Sequence, residues 1–200
     1  MPVQRKKSKM SEKILLHACC AVCAGYPLQL LSSLDYTPVV YFYNPNIHPK
    51  KEYDRRLKEL VSYCGKKNYE LIIEEDDTKV WFDYVKGLEN EPERGKRCLK
   101  CFELRLNKTA QKAIQLEINK FSTTLMISPH KVREDIVEVG QNIAKKYDLE
   151  FVDTDFRKQN GFLKTMAIAK EENFYRQKYC GCVYAFNQQN SESDKEKIIL

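Results

Sequence analysis

The chain has 200 residues, 42% hydrophobic and 31% charged, with only seven glycines and seven prolines. This is one domain's worth of sequence able to bury a core, which excludes disordered, collagen-like and low-complexity classes. Lysine and arginine number 34 against 28 acidic residues, and the resulting +6 suits an anionic partner without demanding one.

Residues 1–12 read as a polar tail carrying Arg5, Lys6, Lys7 and Lys9, residues 13–186 as one α/β domain, and residues 187–200 as a polar tail. No apolar run approaches the about 18 residues of a membrane span. Ile14-Leu15-Leu16 is too short for a signal-peptide core, so a soluble, cytoplasmic protein without a membrane partner is expected.

Ile14 to Leu16 reads as a buried strand, followed by a cysteine-rich turn and a helix from about Cys23 to Leu34. Thr37 to Tyr43 is a second strand, and Pro49 opens a helix whose apolar stripe is Tyr53, Leu57, Leu60, Val61 and Cys64. Leu71 to Ile73 is a third strand, Asp76 to Leu88 a short helix, and the charged stretch Glu89 to Arg97 a loop. A long helix runs from about Cys98 to Ile118, and a fourth strand from Phe121 to Ile127. A helix marked by Val132, Ile136, Val139, Ile143 and Tyr147 precedes a fifth strand at Glu150 to Val152 and a last helix from Gly161 to Asn173. Short apolar strands separated by helices predict a parallel five-stranded sheet with helices on both faces. In the order 3-2-1-4-5, the ligand crevice lies between the carboxyl ends of strands 1 and 4, at His17 to Cys23 and Ser128 to Lys131.

Eight cysteines stand out, and seven fall into three groups. Cys19, Cys20 and Cys23 form C-C-x-x-C after strand 1, Cys98 and Cys101 form C-x-x-C, and Cys180 and Cys182 form C-G-C. Intracellular thiols stay reduced, so clustering points to metal or redox chemistry rather than disulfides. Arg94, Lys96, Arg97 and Lys100 surround one pair at a helix N-terminus, where thiolates are favoured. Structural zinc, an iron–sulfur cluster and a thiol relay all fit such groups. Seven thiols exceed by three what one zinc or one cubane needs, and they gather at a crevice, which favours the redox cluster. Cys64, alone on an apolar stripe, reads as a core thiol. His17 is a metal ligand, a donor behind the ligands or a hydrogen-bonded strand-end histidine; His48 either reaches the crevice or faces water.

The motifs together resemble the QueH-type epoxyqueuosine reductases over roughly Lys13 to Phe186. They are L-L-H-A-C-C-A-V-C, F-Y-N-P-N-I-H-P-K-K-E-Y-D-R-R (Phe42 to Arg56), C-L-K-C, T-T-L-M-I-S-P-H-K (Thr123 to Lys131), D-F-R-K-Q-N-G (Asp155 to Gly161) and Y-R-Q-K-Y-C-G-C (Tyr175 to Cys182). The resemblance implies a nucleotide-binding HUP fold akin to PP-loop ATPases, a [4Fe–4S] cluster with an additional iron, and the last step of queuosine synthesis on tRNA. Metal ligands are then expected among Cys19, Cys20, Cys23, Cys98, Cys101, Cys180 and Cys182. Three thiolates beyond the cluster, with an oxygen or nitrogen donor, would hold an iron able to polarise the epoxide C–O bond. Asp155, by position, is the expected oxygen ligand or proton donor, with His17 beside it as a catalytic candidate.

No glycine-rich dinucleotide fingerprint follows strand 1, so electrons are expected from an external donor such as ferredoxin or flavodoxin. The anticodon loop of tRNA is expected to contact Arg94, Lys96, Arg97 and Lys100, together with Arg157, Lys158, Arg176 and Lys178. Two rivals remain at this point: an iron–sulfur tRNA-thiolating enzyme and a zinc-stabilised RNA-binding module. The first should carry a Gly/Ser-rich phosphate loop where His17-Ala18-Cys19-Cys20 stands. The second should be colourless, where an iron–sulfur protein is brown.

Overall fold

The computed structural model describes residues 11–75 and 78–188. Arg5, Lys6, Lys7 and Lys9, the Asp76 start of the third helix, and the tail from residue 189 lie outside the described residues. Five strands, β1 (Glu12–His17), β2 (Tyr36–Phe42), β3 (Glu70–Ile73), β4 (Lys120–Thr123) and β5 (Glu150–Phe151), form one sheet in the order β3-β2-β1-β4-β5. Every pairing is parallel. This is the expected doubly wound order, with β1 central and the reversal between β1 and β4.

Three helices, α1 (Ala21–Ser33), α2 (Lys50–Lys67) and α6 (Gly161–Glu171), cover one face, with α1 packed on both α2 and α6. The opposite face carries α3 (Thr78–Tyr84), α4 (Lys96–Gln115) and α5 (Arg133–Tyr147). Sheets covered on both sides need strands apolar on both faces, which is why Ile14, Leu15 and Leu16 in β1 are wholly buried without alternation. Phe121 and Phe151 from adjacent strands meet with ring centroids 5.2 Å apart.

Three expectations are corrected. Strand β4 ends at Thr123, and Thr124–Ile127 is a 3-10 turn capped by the Thr123 hydroxyl, which accepts the Leu125 N–H at 3.2 Å. These residues are fully buried, and a short buried apolar run has no periodicity to separate strand from turn. Helix α3 stops at Tyr84, and Gly87 beyond it adopts a φ of +83°. The buried stripe of α2 contains Glu52 and Arg56, whereas Val61 is exposed, because Arg56 is drawn inward by partners far along the chain. Cys64 is buried in the core as expected, and burial pushes its thiol up to about 12.

Candidate metal centre

The first thiol group is built by the end of β1. His17 is fully buried, and its ring ties β1 to β4 and to the residue after β2: Nε2 donates to the Tyr43 carbonyl at 3.2 Å, and Nδ1 accepts from the Thr123 hydroxyl at 2.9 Å. Burial, then the Arg105 charge, holds its pKa down at about 3, so the ring is neutral. Asn44 Nδ2 donates to the Ala18 carbonyl at 3.0 Å, and Asn44 Oδ1 accepts from Arg105 at 2.6 Å, fixing the turn that follows. Cys20 is the N-cap of α1, its sulfur accepting the Cys23 N–H at 3.4 Å.

The sulfurs of Cys19, Cys20 and Cys23 all lie within 4.8 Å of one another, with Cys19 and Cys20 3.8 Å apart. A tetrahedral ion with metal–sulfur bonds of about 2.3 Å sets its sulfurs about 3.8 Å apart, so the trio is sized for a single ion. Hydrogen bonds from the Cys20 and Cys23 thiols, with the Arg105 and Lys131 charges, hold Cys19 well below the usual thiol range. Cys20 is pushed up to about 12 and Cys23 upward, both chiefly by Cys19, so Cys19 ionises first. Gln177 Nε2 donates to Cys20 Sγ at 3.1 Å.

The second group joins distant segments. Cys98 and Cys101 lie in the first two turns of α4, and the Arg94 N–H donates to Cys98 Sγ at 3.3 Å. The Cys182 sulfur accepts the Ala185 N–H at 3.3 Å, capping a helical segment at 183–188. Arg56, only 1% exposed, clamps this loop from α2: Nη1 and Nη2 donate to the Cys180 and Tyr179 carbonyls, each at 3.1 Å, while Nε donates to Glu52 at 2.7 Å. Gly181 has a φ of +123°, and a Cβ there would meet Ile47 at 3.0 Å and Arg56 at 3.2 Å, so only glycine suits the position.

Cys98, Cys101, Cys180 and Cys182 line one cavity. Among the described residues only the trio is drawn together within 4.8 Å, so the quartet spans a wider space. Arg97 lines that cavity with Nε and Nη2 buried and without a partner, and Trp81 and Arg105, also in its lining, hydrogen-bond the Cys101 thiol. Buried N–H donors gathered around four thiols fit a sulfur-rich anion, whose sulfides accept N–H hydrogen bonds. Cys182, with the Lys131 charge assisting, holds Cys180 down at about 6, while Cys182 itself is driven up. A second cavity of about 150 Å³ holds Cys19 and Cys23 on one side and Cys180 on the other, with Lys131 lining both cavities. Burial pulls the Lys131 amine down, but facing Cys180, Cys19 and Cys23 raises it on balance and keeps it cationic.

A sequence profile described as epoxyqueuosine reductase QueH matches residues 14–188. The chain belongs to this family. Relatives named epoxyqueuosine reductase QueH include one from Acinetobacter baylyi, 41% identical over 191 residues, covering 94% of this chain and 87% of the relative. One from Streptococcus pyogenes serotype M1 is 43% identical over 191 residues, covering 92% and 74%, and one from Haemophilus influenzae is 40% identical over 206 residues, covering 98% and 83%. A solved structure described as a predicted subunit of a tRNA methyltransferase from Methanocaldococcus jannaschii superposes with a TM-score of 0.57. It is 11% identical and covers 80% of this chain and 75% of that one, a likeness of the α/β fold alone.

Within this QueH chain the remaining expected residues take distinct places. Asp155 is half-buried beyond β5, accepts the Arg157 N–H at 3.0 Å and faces Arg133 and Arg157 at 3.8 Å each, and it lines neither thiol cavity. Arg97 is 1% exposed and donates to the carbonyls of Leu88, Glu89 and Glu91, so its guanidinium is engaged inside the protein rather than offered to phosphate. Arg94 lines the quartet cavity and Lys178 the shared one. Lys96 and Lys100 border a separate groove between α4 and α5, Lys100 paired with Glu103 at 2.8 Å, and Lys158 is exposed past β5. His48 packs on Trp81 and Phe82 at 5.2 and 4.9 Å. Lys131, Arg56, Arg105 and Gln177 were not singled out by the sequence. Lys131 ends the turn after strand 4 at the switch point, and Arg56 and Gln177 lie within quoted motifs, whereas Arg105 carried no signal.

Proposed function

We propose that this chain reduces the epoxide of epoxyqueuosine, at the wobble position of tRNA, to the alkene of queuosine. The reaction consumes two electrons and two protons and releases water. The observation that carries this reading is the division of seven thiols into a compact trio and a wider quartet around one charged lysine at the sheet's switch point. In this reading Cys98, Cys101, Cys180 and Cys182 hold a [4Fe–4S] cluster, and Cys19, Cys20 and Cys23 hold one further iron. Bound there, the metals supply electron transfer and Lewis acidity.

The protein's own groups do the rest. Lys131 Nζ, between the two thiol sets, hydrogen-bonds the epoxide oxygen and delivers a proton as it leaves. Arg105 offsets the thiolate charge, and His17, neutral and engaged at both nitrogens, positions the Cys19 turn. Asp155 acts at one remove, through Arg133 and Arg157 at the rim. Arg94, Arg176 and Lys178 contact phosphates of the anticodon loop. Electrons arrive from an external donor of the ferredoxin or flavodoxin kind. A phosphate-binding reading of the α1 N-terminus is disfavoured, since the Cys23 N–H is already bonded to Cys20 Sγ.

Anaerobic reconstitution tests the reading. More than four irons per chain with about four sulfides is expected, and an epoxyqueuosine-bearing stem-loop should lose one oxygen on addition of reductant. An iron-to-sulfide ratio of one with the trio still open to alkylation would remove the further iron. A reconstituted protein that leaves the epoxide intact would remove the function.

A further inference from the structure

Beside Cys23 lies another cavity of about 150 Å³ between α1, the turn after β4, α6 and the segment leading to the C-G-C loop. It shares Cys23, Ser128, His130 and Gln177 with the cavity between the thiol sets, so the two cavities adjoin. Its walls are apolar where Val22, Ile127, Phe162 and Met166 face it. Two polar atoms of its lining residues are buried without a partner. Thr165 is 1% exposed and its hydroxyl has no partner, and Gln177 Oε1 is likewise buried and unpaired while its Nε2 touches the Cys20 sulfur. A helical threonine normally satisfies its hydroxyl on the carbonyl one turn back, as Thr109 does on Arg105 at 2.8 Å. Thr165 forgoes that bond. Buried polar atoms rarely stay unpaired, so these two await an occupant with complementary groups. Arg176 lines the same cavity and supplies a cation at its edge.

We propose that this cavity receives the flipped-out base of the modified nucleotide, with Thr165 and Gln177 reading its hydrogen-bonding edge. The inference rests on the nucleoside substrate proposed above. A base removed from its stack is held between apolar or aromatic faces and read by hydrogen bonds along its edge. Phe162 and Met166 provide the face, Thr165 and Gln177 the edge partners, and Arg176 the neighbouring phosphate contact. The substituent on the base then extends past Cys23 into the cavity where Lys131 and the trio meet. Gly25 on α1 sets the distance, since a Cβ there would meet Ile168 of α6 at 2.9 Å.

The test compares reconstituted wild-type protein with Thr165→Val, which keeps the volume and removes the hydroxyl. Two anticodon stem-loops are used, one bearing epoxyqueuosine and one abasic at the same position. Wild type should bind the base-bearing stem-loop at least about tenfold more tightly than the abasic one. Thr165→Val should lose roughly tenfold on the base-bearing stem-loop only, the scale of one lost hydrogen bond. Thr165→Ser should restore it. The valine variant should also be no less stable than wild type and keep its iron content, because the hydroxyl has no partner within the protein. Equal affinity of wild type for both stem-loops, an equal loss on both in the variant, or a destabilised valine variant would overturn the proposal. Base-dependent binding without epoxide reduction would instead leave the pocket standing and remove the reductase reading.

Discussion

At the scale of single residues, thiols of identical chemistry are separated by their surroundings. Cys64 sits among core side chains, whereas Cys182 caps a helical turn beside an ionisable partner. Cys64→Ala should cost about 1–2 kcal/mol in chemical denaturation yet keep full iron content. Cys182→Ala should leave the reconstituted protein short of iron and without visible absorbance. Iron loss in the first variant, or retention in the second, would show that the thiols are sorted wrongly. Glu74 offers a residue-scale check away from the metals. Burial raises its carboxyl, but Lys112 at 2.8 Å, Lys108 at 3.0 Å and the Tyr41 hydroxyl at 2.9 Å outweigh that and hold it below the ordinary value of 4.5. A carboxylate depressed in the folded state contributes stability above the unfolded pKa and loses it as pH falls through the folded one. Denaturation midpoints of wild type should therefore drop more steeply below pH 4.5 than those of Glu74→Gln. Parallel curves would mean that the pairing contributes nothing.

At the scale of elements, the quartet depends on an interaction between α2 and a loop more than 120 positions later. Arg56 makes three hydrogen bonds from one fixed fork, which the single ammonium of lysine cannot reproduce. Arg56→Lys should lower the melting temperature, release Cys180 and Cys182 to alkylation and reduce sulfide content, while far-UV circular dichroism stays near wild type. A full complement of sulfide in that variant would show that the C-G-C loop holds its shape without the clamp. The aromatic and charged contacts around it, Arg55 over the Tyr175 ring at 3.4 Å and the Tyr175 N–H on Glu59 at 2.8 Å, bind the same segment to α2. This explains physically why the E-Y-D-R-R and Y-R-Q-K-Y-C-G-C runs occur together in one chain.

At the scale of the whole molecule, a net +6 is distributed so that a few cations reach the cavities while others serve the fold. Arg97 serves the fold, and Arg176 and Lys178 line cavities that meet at Cys23. Replacing both Arg176 and Lys178 by glutamine should weaken tRNA binding and reduce the salt slope by about 2, one unit per lost phosphate contact. The visible spectrum should not change. An unaltered slope would put the tRNA on another face of the protein, such as the groove beside Lys96 and Lys100.

The order of strands, the parallel sheet and the cysteine groups were legible in the sequence because each depends on local pattern. Apolar runs of strand length alternate with helical stripes, and thiols two or three residues apart stay close however the chain folds. The sequence also placed the C-C-x-x-C turn at the switch point, since alternating strands and helices leave few topologies. Which thiols share a site was decided only by tertiary structure. Cys98 and Cys101 meet Cys180 and Cys182 across some eighty residues, because the Arg56 clamp and the α4 N-terminus arrive at one place. The same holds for Lys131, Arg105 and Thr165, ordinary residues in sequence whose chemistry comes from burial and from what lies opposite. Arg97 and Val61 mark the converse. Charge and periodicity assigned them to a phosphate contact and to the core, and packing reversed both: Arg97 is held inside by Nη1 on three backbone carbonyls, and Val61 lies on the exposed side of α2.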